Sequence, residues 1–312
     1  MYSIDELNFD ESKYEELLSV LISGTCIFIG AGISKLGGYK LWNELSGSMV
    51  AEYWKRRNDI ADSENKFNFS IKTYLSLNSN PIEAMDYLFS LDQNLFFEVL
   101  EGNFNNITER IEIYNKFSSL TKIINNFFIQ TNIDLGFQKN LNISDDNIAI
   151  NPNFGDMTKK LTYVHGRLGI KKSFIFTRRQ YDHSYLNETS DVMRFLIPVF
   201  KNYNVVFFGY SLRDFEILQA ISKSRMDAQT PKTHYLFEPV YGYKLTEFSI
   251  KRTNIKNNFG IEMIPYNIEK GGYDLLFDVL DKLNSTISRK ISISTKDAIT
   301  SPSAGSDTSY ER

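Results

Sequence analysis

Several short runs of this chain are apolar at nearly every position instead of every second one. They are Thr25–Ile29, Phe127–Ile129, Leu161–Val164, Phe174–Phe176, Val205–Phe208, Tyr235–Phe237 and Ile261–Ile264. A strand of that kind has no polar face to give to water. It belongs inside a parallel sheet with helices packed on both sides. Helical periodicity separates several of the runs, over Tyr14–Ile22, Asp191–Tyr203, Phe215–Ser222, Tyr243–Ile255 and Tyr273–Leu283. Strands alternating with helices predict a Rossmann-like, doubly wound α/β fold. The stretch 41–124 breaks the rhythm: it reads as helices without a convincing strand, and is expected to be a helical insertion between the first two strands. Residues 1–284 are expected to form one folded unit. Residues 285–312, rich in Ser and Thr and carrying Pro302 and Gly305, are expected to be a flexible tail.

Composition narrows the function classes. With 35 basic and 38 acidic residues the net charge is −3, which removes the usual electrostatic reason to expect nucleic acid or an anionic membrane as partner. A single cysteine, Cys26, excludes an intramolecular disulfide and any zinc site built from several cysteines. The three histidines, His165, His183 and His234, lack metal-ligand spacing, so no metal is expected. The opening MYSIDELNFDESKYEELL is acidic and has no basic segment followed by an apolar one, so no signal peptide is expected. No apolar run reaches the roughly 18 residues of a membrane span. The expectation is a cytoplasmic protein.

Four polar or glycine-rich motifs follow predicted strands, where ligands of open α/β sheets bind. Gly30-Ala31-Gly32-Ile33-Ser34 follows the first strand. Its glycines allow close backbone approach to a pyrophosphate, and helix-start amides would hold the phosphates; Gly in such a turn also serves φ > 0 alone. Thr131-Asn132-Ile133-Asp134 follows the second strand, as a ligand-contacting or an ordinary strand-end turn. His165-Gly166 and Gly209-Tyr210-Ser211-Leu212-Arg213-Asp214 follow two later strands. In the last, Ser211 also suits a helix N-cap and Asp214 the first helical turn. Joint placement at four strand ends favours a site over coincidence.

In this order, the motifs resemble the sirtuin-like NAD-consuming superfamily over roughly residues 20–280. The resemblance implies a Rossmann-type NAD site with a smaller helical module closing over it. By position it implies that Gly30, Ala31, Gly32, Ser34, Asp134, Gly209 and Ser211 contact NAD, and that Asn132 and His165 are catalytic. The four-cysteine zinc ribbon of deacylating sirtuins cannot be built here. Gly37-Gly38-Tyr39-Lys40-Leu41-Trp42 stands where Pro-Asp-Phe-Arg is usual. These departures resemble the bacterial antiphage-defence branch, whose members typically hydrolyse NAD beside a sensor. A separate sensor or regulatory protein from the same operon, and a homo- or hetero-oligomer, are expected as partners, with the insertion as the moving part.

The residue types support that chemistry. Breaking the nicotinamide–ribose bond needs a positioned water or acceptor and a base that titrates near neutrality, and histidine is the natural base. Asn132 can hold the water or ribose hydroxyls in line. Cys26, inside a predicted strand, is a poor nucleophile. His183 and His234 are read as structural or surface side chains, Trp42 as core packing with a lining of the nicotinamide pocket as the alternative, and Arg178-Arg179 as a solvated face with a contact to pyrophosphate or a partner as the alternative. Glu238 could accept a ribose hydroxyl. The alternatives are an ADP-ribosyl or deacyl transferase and a nucleotide sensor without turnover.

Overall fold

The structure is a computed structural model describing residues 7, 9–57, 80–105, 107–186, 188–226 and 228–300. Helix α1 (Glu15–Ser23) leads into strand β1 (Cys26–Ile29), followed by α2 (Ala31–Leu36). A run of helices follows: α3 (Trp42–Arg57), α4 (Pro81–Leu91), α5 (Gln93–Asn105), α6 (Glu112–Asn115) and α7 (Ser118–Lys122). Next come β2 (Phe127–Gln130), α8 (Gly136–Asn140), β3 (Ile148–Ile150), β4 (Leu161–Tyr163), α9 (Arg178–Tyr181), α10 (Asp191–Asn202) and β5 (Val205–Phe208). The chain closes with α11 (Phe215–Met226), β6 (His234–Val240), α12 (Leu245–Phe259), β7 (Ile261–Asn267) and α13 (Leu276–Thr300).

The seven strands form one parallel sheet in the order β3-β4-β2-β1-β5-β6-β7. Alternate strand residues feed opposite layers, as the period of two requires. Ile27, Ile29, Phe128, Val206 and Phe208 pack with α1 and α13. Cys26, Phe28, Ile129, Val205 and Phe207 pack with α10 and α11. Both faces are covered, which is the doubly wound α/β architecture.

Between β1 and β2 the described residues hold helices and no strand; residues 58–79 of the expected insertion lie outside them. Helices α3, α4 and α5 build a third apolar cluster around Met49, Tyr53, Leu88 and Phe96.

Three expectations about elements are corrected. Phe174–Phe176 is not a strand: Phe174 and Phe176 stack on each other at 5.1 Å, and both join the helical cluster. A short apolar run cannot distinguish a buried strand from an irregular segment packed under helices. Ile148–Ile150, not expected as a strand, is the edge strand β3. Residues 285–300, expected as tail, continue helix α13, because Thr286 and Ile287 are buried on its inner face. Residues 301–312 lie outside the described residues.

Candidate functional site

Strand β1 sits between β2 and β5. The chain leaves β1 toward one side of the sheet and leaves β5 toward the other. A crevice therefore opens at the carboxyl ends of these strands. Register sets the motifs at one level: Ile29 pairs with both Gln130 and Phe208, and Gln130 pairs with Tyr163. Gly30, Thr131-Asn132, His165 and Gly209 thus emerge from neighbouring strands at the same edge.

The two glycine turns interlock. The Gly32 amide donates to the Gly209 carbonyl at 2.8 Å, and the Gly30 amide to Phe208 at 2.9 Å. A Cβ on Gly30 would meet the Gly209 oxygen at 2.4 Å, and one on Gly209, where φ is +62°, would meet the Ile33 nitrogen at 2.5 Å. These glycines permit the backbones of two turns to touch. The expectation that helix-start amides hold phosphates is corrected for two of them: the Gly32 amide goes to Gly209 and the Ile33 amide to Gly30, at 3.1 Å.

Asn132 joins the turn from β2, its Nδ2 donating to the Gly30 carbonyl at 2.9 Å. Ser34 and Asp134 are brought together as well. The Ser34 hydroxyl donates to Asp134 Oδ2 at 2.5 Å, and the Gly136 amide donates to Oδ1 at 3.0 Å. Both side chains are buried, and burial pushes the Asp134 carboxyl up against the two hydrogen bonds. In this structure the pair staples α2 to the second motif. Ala31 opens α2 half-buried, and Ser211 is exposed in the loop after Gly209. Helix α11 begins at Phe215, so Asp214, not Ser211, occupies the N-cap position.

His165 leaves β4 half-buried, its ring edge-on to Tyr181 at 5.4 Å and to Tyr185 at 5.7 Å. Burial holds its pKa below the usual histidine value, opposed by the charge of Asp214 and by a hydrogen bond to the Thr131 backbone. The imidazole is therefore neutral near pH 7 and able to take a proton. Gly166, at φ +90°, lets the Ser173 carbonyl pass where a Cβ would stand 2.3 Å away.

The described helices of the insertion pack against this edge. Their cluster contains Ile133, between Asn132 and Asp134, together with Phe174 and Phe176 from the segment after His165. Trp42 stacks on Phe176 at 5.2 Å.

Other candidates are placed elsewhere. His234 is buried at the start of β6, accepting from the Val205 amide through Nδ1 at 3.2 Å. His183 is exposed. Glu238 is ion-paired with Lys251. Arg178 and Arg179 are exposed, and Arg178 lies 3.6 Å from Asp182. Cys26 is buried within β1, and burial pushes its thiol well up. The described residues contain no group of His, Cys, Asp and Glu arranged to hold a metal ion. None of their helices is long and apolar enough to cross a membrane.

Residues 126–264 match the sequence profile of a SIR2-like domain. The matched SIR2-like segment carries the Asn132, His165 and Gly209 motifs and stops within β7; the Gly30 turn lies outside it. No curated protein matches the chain. Among solved structures, the chain is similar to one determined for work on the mechanism and regulation of Sir2 enzymes. The identity is 13% and the TM-score 0.43, over 90% of this chain and 99% of that one.

Sequence reasoning passed over Asp214 as a first-turn residue. Its carboxylate instead accepts from the Tyr210 hydroxyl at 2.6 Å. The hint in the sequence was Tyr at i and Asp at i+4 flanking a short loop after a strand.

Proposed function

We propose that this chain is a sirtuin-like, NAD-consuming enzyme. It hydrolyses the nicotinamide–ribose bond to nicotinamide and ADP-ribose, as the NAD-depleting effector of a bacterial antiphage defence system. The observation that carries the reading is the pairing of Asn132 and His165 at adjacent strand ends. The imidazole stands edge-on to Tyr181 and Tyr185, and the amide is tied to the Gly30 carbonyl. The match of residues 126–264 to a SIR2-like domain supports NAD as substrate.

In this reading His165 takes the proton of the attacking water or of a ribose hydroxyl, and Asn132 holds that oxygen in line. The half-buried rim of the two glycine turns, with Ala31 and the exposed Ser211, faces the phosphates and ribose. Ser34 and Asp134 support that rim from below. A partner protein or assembly restrains turnover by acting through the helical wall, which is packed onto Ile133.

The test is incubation of the full chain with NAD, alone and with proteins from the same operon, followed by product analysis. Nicotinamide plus ADP-ribose is expected. A modified protein product would replace hydrolysis with transfer, and binding without turnover in any combination would make the chain a sensor.

A further inference from the structure

The helical insertion returns to the sheet through a short strap, residues 107–114, which touches the segments that follow two of the motifs. Three glycines make room for it. A Cβ on Gly38, at φ +97°, would stand 2.5 Å from the Thr108 carbonyl oxygen. Gly37, which caps the carboxyl end of α2, and Gly136, which opens α8, both leave the space of a Cβ to the Tyr114 hydroxyl. The backbone adds a bond, the Arg110 amide donating to the Gly37 carbonyl at 3.0 Å. Glu109 adds a side chain: its Oε1 accepts from Asn140 Nδ2 at 3.0 Å and would stand 3.0 Å from a Cβ on Gly136. On the outside, the Arg110 guanidinium reaches Asp274, just before α13, at 3.3 Å.

These contacts close a ring. Tyr114 touches Gly136, and the Gly136 amide donates to Asp134 Oδ1 at 3.0 Å. Asp134 Oδ2 accepts from the Ser34 hydroxyl at 2.5 Å. Ser34 lies on α2 one turn before Gly37, and Gly37 touches Tyr114 again. Tyr114 is buried, and its hydroxyl has no hydrogen-bond partner among the described residues. Such a hydroxyl costs stability, because it gives up water and receives nothing in exchange. Phenylalanine would fill the core without that cost. What the oxygen adds is length, and it is the oxygen that meets both glycines.

We propose that Tyr114 is a positioning residue for the nucleotide-binding rim: wedged between Gly37 and Gly136, its hydroxyl sets the separation of α2 from the Asp134 turn, and the strap ties that separation to the helical insertion. This rests on the reading of Ser34 and Asp134 as the support of an NAD site. Helix α2 begins inside the Gly30–Gly32 turn, so a shift at its far end moves the rim. A closely packed interior transmits such a shift instead of absorbing it. Binding suffers most, because the ring holds the rim and does not include His165. The bland alternative is that Tyr114 only fills the core beside Phe137, whose ring lies 6.4 Å away.

The two are separated by Tyr114→Phe, which keeps the ring and shortens the wedge by one oxygen. The readouts on the full chain are the melting temperature, hydrogen exchange of the Gly136 amide by NMR, and KM and kcat for NAD cleavage. With the unpartnered hydroxyl gone, melting should stay in place or rise slightly. Loosening the ring should speed exchange of the Gly136 amide about tenfold. KM should rise about tenfold while kcat stays within about twofold. Glu109→Ala, which removes the strap's other side-chain contact at Gly136, should move exchange and KM in the same direction by less. If Tyr114→Phe fails to fold, Glu109→Ala carries the test on the same readouts. Unmoved Gly136 exchange in the folded variant overturns the proposal and leaves Tyr114 a core residue. Faster exchange with KM unmoved overturns it too, because the wedge then holds the fold and not the rim. Exchange needs no turnover: if no form cleaves NAD, the proposed function falls while the wedge at Gly136 is still decided.

Discussion

The two edges of the sheet use similar side chains for different ends. At the amino edge, polar groups close on backbone. The Asn126 Oδ1 accepts from the Thr25 amide at 2.9 Å, and its Nδ2 donates to Leu21 and Leu120 at 3.2 and 3.1 Å. The Thr25 hydroxyl donates to Asn204, Asn204 donates to Thr233, and His234 accepts from Val205. At the carboxyl edge Asn132 also reaches a backbone carbonyl, but it does so half-buried, beside a half-buried histidine and two turns with no room for a Cβ. The amino edge ties strands together. The carboxyl edge ties turns together so that a few polar atoms keep a fixed place near solvent. Residue type alone does not separate a structural Asn or His from one placed for chemistry; what its bonds leave over does.

The largest test of this contrast is His165→Ala. General-base removal should cost roughly 10²–10⁴-fold in NAD cleavage while melting stays within a degree or two of wild type. Near-normal turnover by the folded variant would erase the distinction between the edges. Asn126→Ala should do the reverse. It leaves an amide and two carbonyls without their buried partner, at about 3 kcal/mol in chemical denaturation, with kcat per folded molecule unchanged.

Gly209→Ala probes where the contrast should fail, because this carboxyl-edge residue holds the fold. A Cβ at a left-handed backbone position against the Ile33 nitrogen should cost about 2–3 kcal/mol, read by thermal unfolding.

The two histidines also differ in their pH signatures. Burial, reinforced by Arg225, pushes the His234 pKa down to about 3. The unfolded chain binds that proton below about pH 6.5, whereas the folded chain does not. Stability from this group is therefore complete above pH 6.5. It is lost as pH falls toward 3, with a slope of up to ~1.4 kcal/mol per pH unit. His234→Gln should flatten that slope, measured by denaturation between pH 6.5 and 4. The smallest effect belongs to the exposed His183, whose change to Ala should leave stability and turnover as they are.

Much of this was legible beforehand because the strands are buried on both faces, so Cys26–Ile29 and Val205–Phe208 could only be central strands. Ile148–Ile150 escaped because a three-residue edge strand leaves no distinctive pattern. Phe174–Phe176 misled because three apolar residues read alike under a sheet or under helices. The tail from residue 285 misled because Ser and Thr dominate it, while the stripe through Leu283 and Ile287 still had a layer to cover.

By itself, the sequence determined the parallel sheet, both covering layers and the placement of four motifs at strand ends, since hydrophobic period and strand length are local properties. Only the tertiary structure decided what the motif residues touch. Gly30 and Gly209 are glycines for each other, Ser34 and Asp134 are joined across 100 positions, and Ile133 belongs to the helical wall. These are contacts between segments far apart in the chain, fixed by sheet order and register, and no local pattern encodes which distant residue will fill the space beside a side chain.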